Sequence, residues 1–471
     1  MLNREKVLSD LEKNFPFKPT ESQHTLLEKI ATFFTDTTSR KCFLLKGYAG
    51  TGKTTAIQTL IKTLASLEYV PVLLAPTGRA AKVITYYTQA DASTIHRYLY
   101  EIKTDKEGSV NVRVKENKLG KRIFIVDEAS MISNEDDKTL FRGASLLSDL
   151  IDHVYIRNDN FIIFIGDTAQ LPPVGISVSP ALDENYLTKA HDLNVTTYEL
   201  KEVVRQQLQS GILANAHCTR LLIQRDESLP RLKATGYKDV MRLEQAEVGE
   251  MLSSYLPQRA DGQVTVICRS NKQANKYNEF IRKRFYDFEE SLEKGDKLMV
   301  VKNNYYWHES NDNNAFIANG DVIELIKVKT TEEKFGFQFA DATIELQDAD
   351  GTRLPVKFIL NSLTSEAPAM TYDEYKQLFE AVKRDYISAH GKVNMKKLKE
   401  DPYLNALQVK YAYAITCHKA QGGQWSTVFV DPGWMSDEMY NKEYLRWLYT
   451  AITRARKKVY LVNMPKQFFV E

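Results

Sequence analysis

Residues 47 to 55 read GYAGTGKTT and follow the apolar run Cys42-Phe43-Leu44-Leu45. The spacing Gly47-x-x-x-x-Gly52-Lys53-Thr54 lets backbone N–H groups turn inward around phosphates. It works where a strand delivers the turn and a helix N-terminus receives it. The following run, TTAIQTLIKTLA, reads as that helix. The expected fold class is therefore α/β with a parallel sheet flanked by helices. Further strands are VPVLLA (70–75), IFIV (123–126) and FIIFI (161–165), then VTVIC (264–268), TVFV (427–430) and KVYLV (458–462). These runs are apolar without alternation, as strands covered on both faces are.

The strands fall into two α/β units that divide near residue 195. The first is expected over 1–97 and 123–195, interrupted at 98–122 by a charged β-hairpin that turns near Glu107-Gly108. The second is expected over 196–295 and 406–471. Its helix after VTVIC is capped by Ser270 and carries Ala274, Tyr277 and Ile281 at helical spacing. Between 296 and 405 the rhythm breaks. DKLMVVKN, NGDVIELIKV, FGFQFA and ATIELQD are short strands with a turn at Asn319-Gly320, expected to form a small antiparallel barrel. A helical stretch beginning at YDEYKQLF follows it.

A length of 471 residues accommodates such an arrangement. The 63 basic and 61 acidic residues nearly cancel, so net charge argues neither for nor against a nucleic-acid partner. Cys42, Cys218, Cys268 and Cys417 have no paired spacing, which suits a reducing compartment and suggests neither a disulfide framework nor a metal site. No apolar run reaches the length of a membrane span, and the N-terminus is charged throughout. A cytoplasmic protein without membrane partners is expected.

The phosphate loop comprises Gly47, Tyr48, Ala49, Gly50, Thr51, Gly52, Lys53, Thr54 and Thr55. Lys53 would supply charge to the outer phosphates and Thr54 a hydroxyl ligand for Mg²⁺. IFIVDEAS ends in Asp127-Glu128, with Asp127 expected to hold Mg²⁺ and Glu128 to polarise the attacking water. In GDTAQLPPV, Gln170 is suited to touch both the γ-phosphate and that water, and Pro172-Pro173 fixes the loop. The expected cofactors are ATP and Mg²⁺.

These stretches continue as an ordered series: LLAPTGRAAKVI (73–84), STIHRYL (93–99), VDEAS, GDTAQLPPV, ELKEVVRQ (199–206), AITCHKAQGGQWSTVFV (414–430) and YTAITRAR (449–456). From residue 47 to 456 the series resembles the motif set of superfamily 1 helicases, in the 1B branch of RecD-like, Pif1-like and phage Dda-like DNA helicases. The resemblance implies two RecA-like domains, with the hairpin as a strand-separating pin and the insertion as an SH3-like barrel with a helical extension.

It also implies roles. PTESQ resembles the Q motif, in which Gln23 would read adenine, although Thr20 and Gln23 equally suit a helix cap. Arg205 and Arg454 would act as arginine fingers when the units close, and Gly422 would lie at the nucleotide. Thr77, Arg79, Thr94, His96, Thr416, His418 and Lys419 would touch the phosphates of a single strand. Capping remains open for Ser93 and Thr94, and no third ligand makes His96 or His418 a metal site. Gln424 stands where many relatives carry Glu, which would loosen nucleotide selectivity.

The tip EGSVNV lacks an aromatic, which favours steric separation by the pin over stacking. Tyr305, Tyr306 and Trp307 are read as barrel core before stacking platforms. The implied activity is ATP-driven 5′→3′ movement on single-stranded DNA and unwinding at a duplex fork, by a monomer, beside replication or repair proteins. An RNA helicase and a clamp-like ATPase subunit are the alternatives. A nuclease is disfavoured, because the carboxylate pair Asp127-Glu128 already has work at the ATP site.

Overall fold

The structure, a computed structural model, describes residues 3–104, 110–134, 145–202, 210–256, 263–304, 306–307, 317–346, 351–387 and 393–470. The first sheet joins β1 (Lys41–Gly47), β2 (Val70–Ala75), β3 (Ala92–Thr94), β6 (Arg122–Val126), β7 (Phe161–Gly166) and β8 (Asn194–Leu200), in the spatial order β3-β2-β6-β7-β1-β8. Every pairing in it is parallel. Its alternate side chains enter two separate cores. Phe43, Leu45, Ile123 and Ile163 face one; Leu44, Phe124, Val126 and Phe164 face the other. That double burial is why these strands carry unbroken apolar runs.

Between β3 and β6, β4 (Tyr100–Thr104) and β5 (Val110–Val114) pair antiparallel. The tip of this hairpin lies outside the described residues. The second sheet has the order β16-β10-β17-β18-β9, from β9 (Val240–Leu243), β10 (Val264–Cys268), β16 (Ala414–Thr416), β17 (Trp425–Asp431) and β18 (Ala455–Val462), and is also parallel. A closed barrel of β11 (Lys297–Val300), β12 (Val322–Lys334), β13 (Phe337–Leu346), β14 (Arg353–Ile359) and β15 (Leu407–Tyr411) sits between β10 and β16 in the chain. Its pairings are antiparallel except β14 with β15, which are joined by a 47-residue excursion (360–406) holding the helices Tyr372–Lys383 and Met395–Lys399.

Some elements differ from the expectation. The first sheet runs on to Leu200, past the expected division near 195, because β8 pairs with β1 along seven positions. Its burial is intermediate at most positions, so its sequence alternates and lacks the apolar run of its neighbours. Phe337–Ala340 of the first stretch and Ala342–Leu346 of the second belong to one strand, β13, with the turn earlier at Phe335-Gly336. Trp307 packs on the barrel core and donates Nε1–H to the Asn405 carbonyl at 2.8 Å, a packing role. Tyr305 lies outside the described residues. No described helix is long and apolar enough to cross a membrane.

Candidate active site

The phosphate loop leaves β1 at Gly47 and enters the helix Lys53–Leu64 at Gly52. Gly52 has φ +95°, and a Cβ there would meet Gln23 Nε2 at 2.6 Å, so the position accepts glycine on both counts. Gln23 itself is buried. Its Oε1 accepts from the Thr20 N–H at 3.0 Å, closing a capping box, and its Nε2 donates to the Thr51 carbonyl at 3.3 Å. The helix-cap reading of Gln23 is therefore realised, and the same amide braces the loop. Lys53 Nζ donates to the Gly47 and Tyr48 carbonyls at 2.7 and 3.0 Å. Thr54 is exposed at the first turn of the helix and Thr55 is half-buried.

Asp127 and Glu128 follow β6. Glu128 adopts φ +51°, a left-handed backbone that costs energy for a side chain of its size and that collects at functional sites. Its N–H donates to Asp127 Oδ1 at 2.8 Å. Burial first, then the Glu128 charge, hold the Asp127 carboxyl well above the usual carboxylate range, while Lys53 opposes them. Asp167, at the end of β7, is buried and lies 3.9 Å from Lys53 Nζ. Burial raises its carboxyl too, against Lys53 and a hydrogen bond from Tyr449. Among the described residues no three carboxylates, histidines or cysteines cluster as a metal site, which suits Mg²⁺, an ion that keeps several waters and takes only one or two protein oxygens. Gln170 is buried nearby, and its Oε1 has no hydrogen-bond partner. An orphaned acceptor of this kind fits a ligand or water proton.

The helix Lys442–Ile452 reaches into this site from the second unit. Arg446 NH1 donates to the Ser177 carbonyl at 2.6 Å, and Thr450 Oγ1 accepts from the Leu171 N–H at 2.9 Å. The Tyr449 hydroxyl accepts from the Ala49 N–H at 2.8 Å and donates to Asp167 Oδ2 at 2.6 Å. Just past the helix, Arg454 is buried, with NH1 3.8 Å from Glu128 Oε1. Positions 446, 449 and 450 share one helical face, so a single surface touches both the phosphate loop and the loop after β7. Arg205 lies outside the described residues. Asp167 and Tyr449 are site residues that sequence reasoning missed.

The residues expected to touch a single strand gather elsewhere. Thr77, Arg79, Thr94 and His96 from the first unit and His418 and Lys419 from the second line one cavity of about 310 Å³, which the barrel turn Asn319-Gly320 also lines. Thr416, at the end of β16, is not among its lining residues. Thr77 and Thr94 each cap a helix, accepting from the Ala80 and Arg97 N–H groups at 3.2 and 3.1 Å. Arg79 stacks its guanidinium 4.5 Å from the Trp425 ring and keeps a buried NH1 with no hydrogen-bond partner. Lys419 Nζ donates to Asn319 Oδ1 at 2.7 Å. Gly422 (φ +70°) packs on the start of the helix Gly78–Thr88, where a Cβ would lie 2.7 Å from Ala80 Cβ and 3.1 Å from Oγ1 of Thr77, a residue that lines this cavity. Gln424 Oε1 accepts from the Tyr87 hydroxyl at 3.2 Å.

Residues 19–220 match the AAA domain model and residues 411–462 match the UvrD-like helicase C-terminal domain model. An uncharacterized protein of Methanocaldococcus jannaschii is 25% identical over 89% of this chain and 36% of its own length, so the chain spans about a third of that relative. The ATP-dependent DNA helicase dda of Enterobacteria phage T4 is 24% identical over 89% of this chain and 93% of that protein. A solved Pif1 helicase from Bacteroides, in complex with ADP-AlF3 and ssDNA, aligns over 97% of this chain and 95% of that one at 15% identity, with a TM-score of 0.47.

Proposed function

We propose that this chain, which resembles the RecD-, Pif1- and Dda-like branch of superfamily 1 helicases, hydrolyses ATP to move 5′→3′ along single-stranded DNA and to open duplex DNA. The observation that carries the proposal is that Tyr449 and Arg454 of the second unit contact the phosphate loop, Asp167 and Glu128 of the first, while residues of both units line the cavity of Thr77, His96 and Lys419. Whatever brings the units together at the nucleotide also changes the grip on the strand.

In this reading Lys53 and the loop N–H groups hold the phosphates, and Thr54 and Asp127 hold Mg²⁺. The metal, when bound, neutralises charge on the outer phosphates. Glu128 orients the attacking water, and Gln170 offers its free Oε1 to that water or its proton. Arg454 is already aimed at this corner and lends charge to the transition state from the second unit. Arg205 is carried as a second finger on the resemblance alone. Polarity likewise rests on the resemblance. The 98–122 hairpin acts as the pin, and the 296–405 barrel with its extension guides the strand against it. The enzyme works as a cytoplasmic monomer at forks, beside replication or repair proteins.

ATP hydrolysis with and without single-stranded DNA, paired with unwinding of duplexes bearing a 5′ or a 3′ tail, tests this. Stimulated hydrolysis with opening from the 5′ tail only is the expected result. Stimulated hydrolysis that opens neither tail would point to a clamp. Hydrolysis indifferent to DNA would overturn the substrate assignment.

A further inference from the structure

Tyr449 has both functions of its hydroxyl committed across the boundary between the units. The oxygen accepts from the Ala49 N–H, the third residue of the phosphate loop, and the proton goes to Asp167 Oδ2. The side chain is 1% exposed, and its ring packs with Tyr48, Ala169, Ala216 and Leu445. Asp167 passes the connection on. Its Oδ1 accepts from the Ala169 N–H at 2.9 Å, and its Oδ2 lies 3.9 Å from Lys53 Nζ. A phenol on the second unit is thereby joined to the backbone that would hold phosphate. Through one carboxylate it is also joined to the lysine that would neutralise it.

Packing alone does not require a hydroxyl here, since phenylalanine would fill the same volume. What the hydroxyl adds is directional. A half-buried amide N–H and a buried carboxylate are each satisfied by a group that leaves when the units part. The neighbouring contacts Leu171 N–H to Thr450 Oγ1 and Arg446 to the Ser177 carbonyl fix the helix that presents it.

We propose that Tyr449 is a positioning residue for the ATPase. Delivered by the second unit, its hydroxyl sets the Ala49 peptide and the Asp167 carboxylate, so that the phosphate loop and Lys53 take their working arrangement only when the units are closed. The proposal rests on the ATP-hydrolysing reading above. It adds a link through which closure is felt inside the phosphate loop itself, separate from the charge that Arg454 brings.

The test is Tyr449→Phe in the full chain, assayed for ATP turnover at saturating single-stranded DNA. It is run alongside equilibrium binding of a non-hydrolysable fluorescent ATP analogue and thermal melting. The expected result is a turnover number lowered about 10-fold, from the loss of the charge-assisted bond to Asp167 and of the neutral bond from the Ala49 N–H. KM and analogue affinity should stay within about twofold and melting within a few degrees. Asp167→Asn, which keeps the shape, should lower turnover similarly, and the double variant should be no worse than the poorer single one. The Asp167→Asn variant carries the test if Tyr449→Phe does not fold.

Turnover of the folded variant within twofold of the wild type would overturn the proposal, as would additive losses in the double variant. A wild-type chain that hydrolyses no ATP would overturn the reading of the site. An active wild type matched by an equally active Tyr449→Phe overturns only the role of Tyr449.

Discussion

The strand contact proposed for Lys419 carries a pH dependence. Burial, with the nearby Lys410 adding repulsion, pushes its ammonium down to about 8. The group is therefore cationic below that pH and neutral above it. A phosphate bound beside it favours the protonated form, so strand affinity should fall as pH rises from 7 to 9 at fixed salt. Fluorescence anisotropy with a labelled oligonucleotide measures this. Lys419→Met should bind more weakly at pH 7 and lose most of the slope, and an equally flat wild type would refute the assignment.

At this scale the candidate site was most legible where its residues are neighbours in the chain. Lys53, Asp127 and Glu128 follow from a loop and a strand end. Asp167 and Tyr449 did not, although both lie in recognisable stretches. Tyrosine on an amphipathic helix reads as core, and the partners of this one are 282 and 400 residues away. Position in the chain gives no hint of such pairings before the fold exists.

Among elements, the strands buried on both faces were readable because their apolar runs are unbroken. The edge strands β8 and β9 were not, since half-exposed edges use Thr, Tyr and Arg as freely as loops do. The helix face carrying Arg446, Tyr449 and Thr450 shows its polarity in the sequence, yet only the fold says what it meets. The loop at 422–424 is another element whose role is a matter of fit. Gly422→Ala places a Cβ against Ala80 at a left-handed backbone position, a strain of about 1–3 kcal/mol that lifting the loop would relieve. The ratio of DNA-stimulated to unstimulated ATP hydrolysis should drop several-fold. An unchanged ratio would mean that the seat of this loop on the helix Gly78–Thr88 does not matter to coupling.

For the whole molecule, contacts from the helix Lys442–Ile452 make the two units share one nucleotide site, so ligand binding should stabilise both together. A non-hydrolysable ATP analogue at 100 times its dissociation constant should contribute about 2.7 kcal/mol and raise the melting midpoint by a few degrees in a single transition. Lys53→Ala should abolish the shift. Two transitions, of which only one moves, would mean that the units respond separately. The barrel has its own lesson at this scale. Its closing strand β15 ends at Tyr411, and β16, which leads straight to Thr416, His418 and Lys419, begins at Ala414. Only Ala412 and Tyr413 lie between. A chimera that exchanges the barrel between relatives cannot treat it as a cassette with two neutral seams. One seam falls two residues from the second sheet and a few more from His418 and Lys419, so a donor barrel seated at a slightly different angle would hand its misalignment straight to the cavity that both units line.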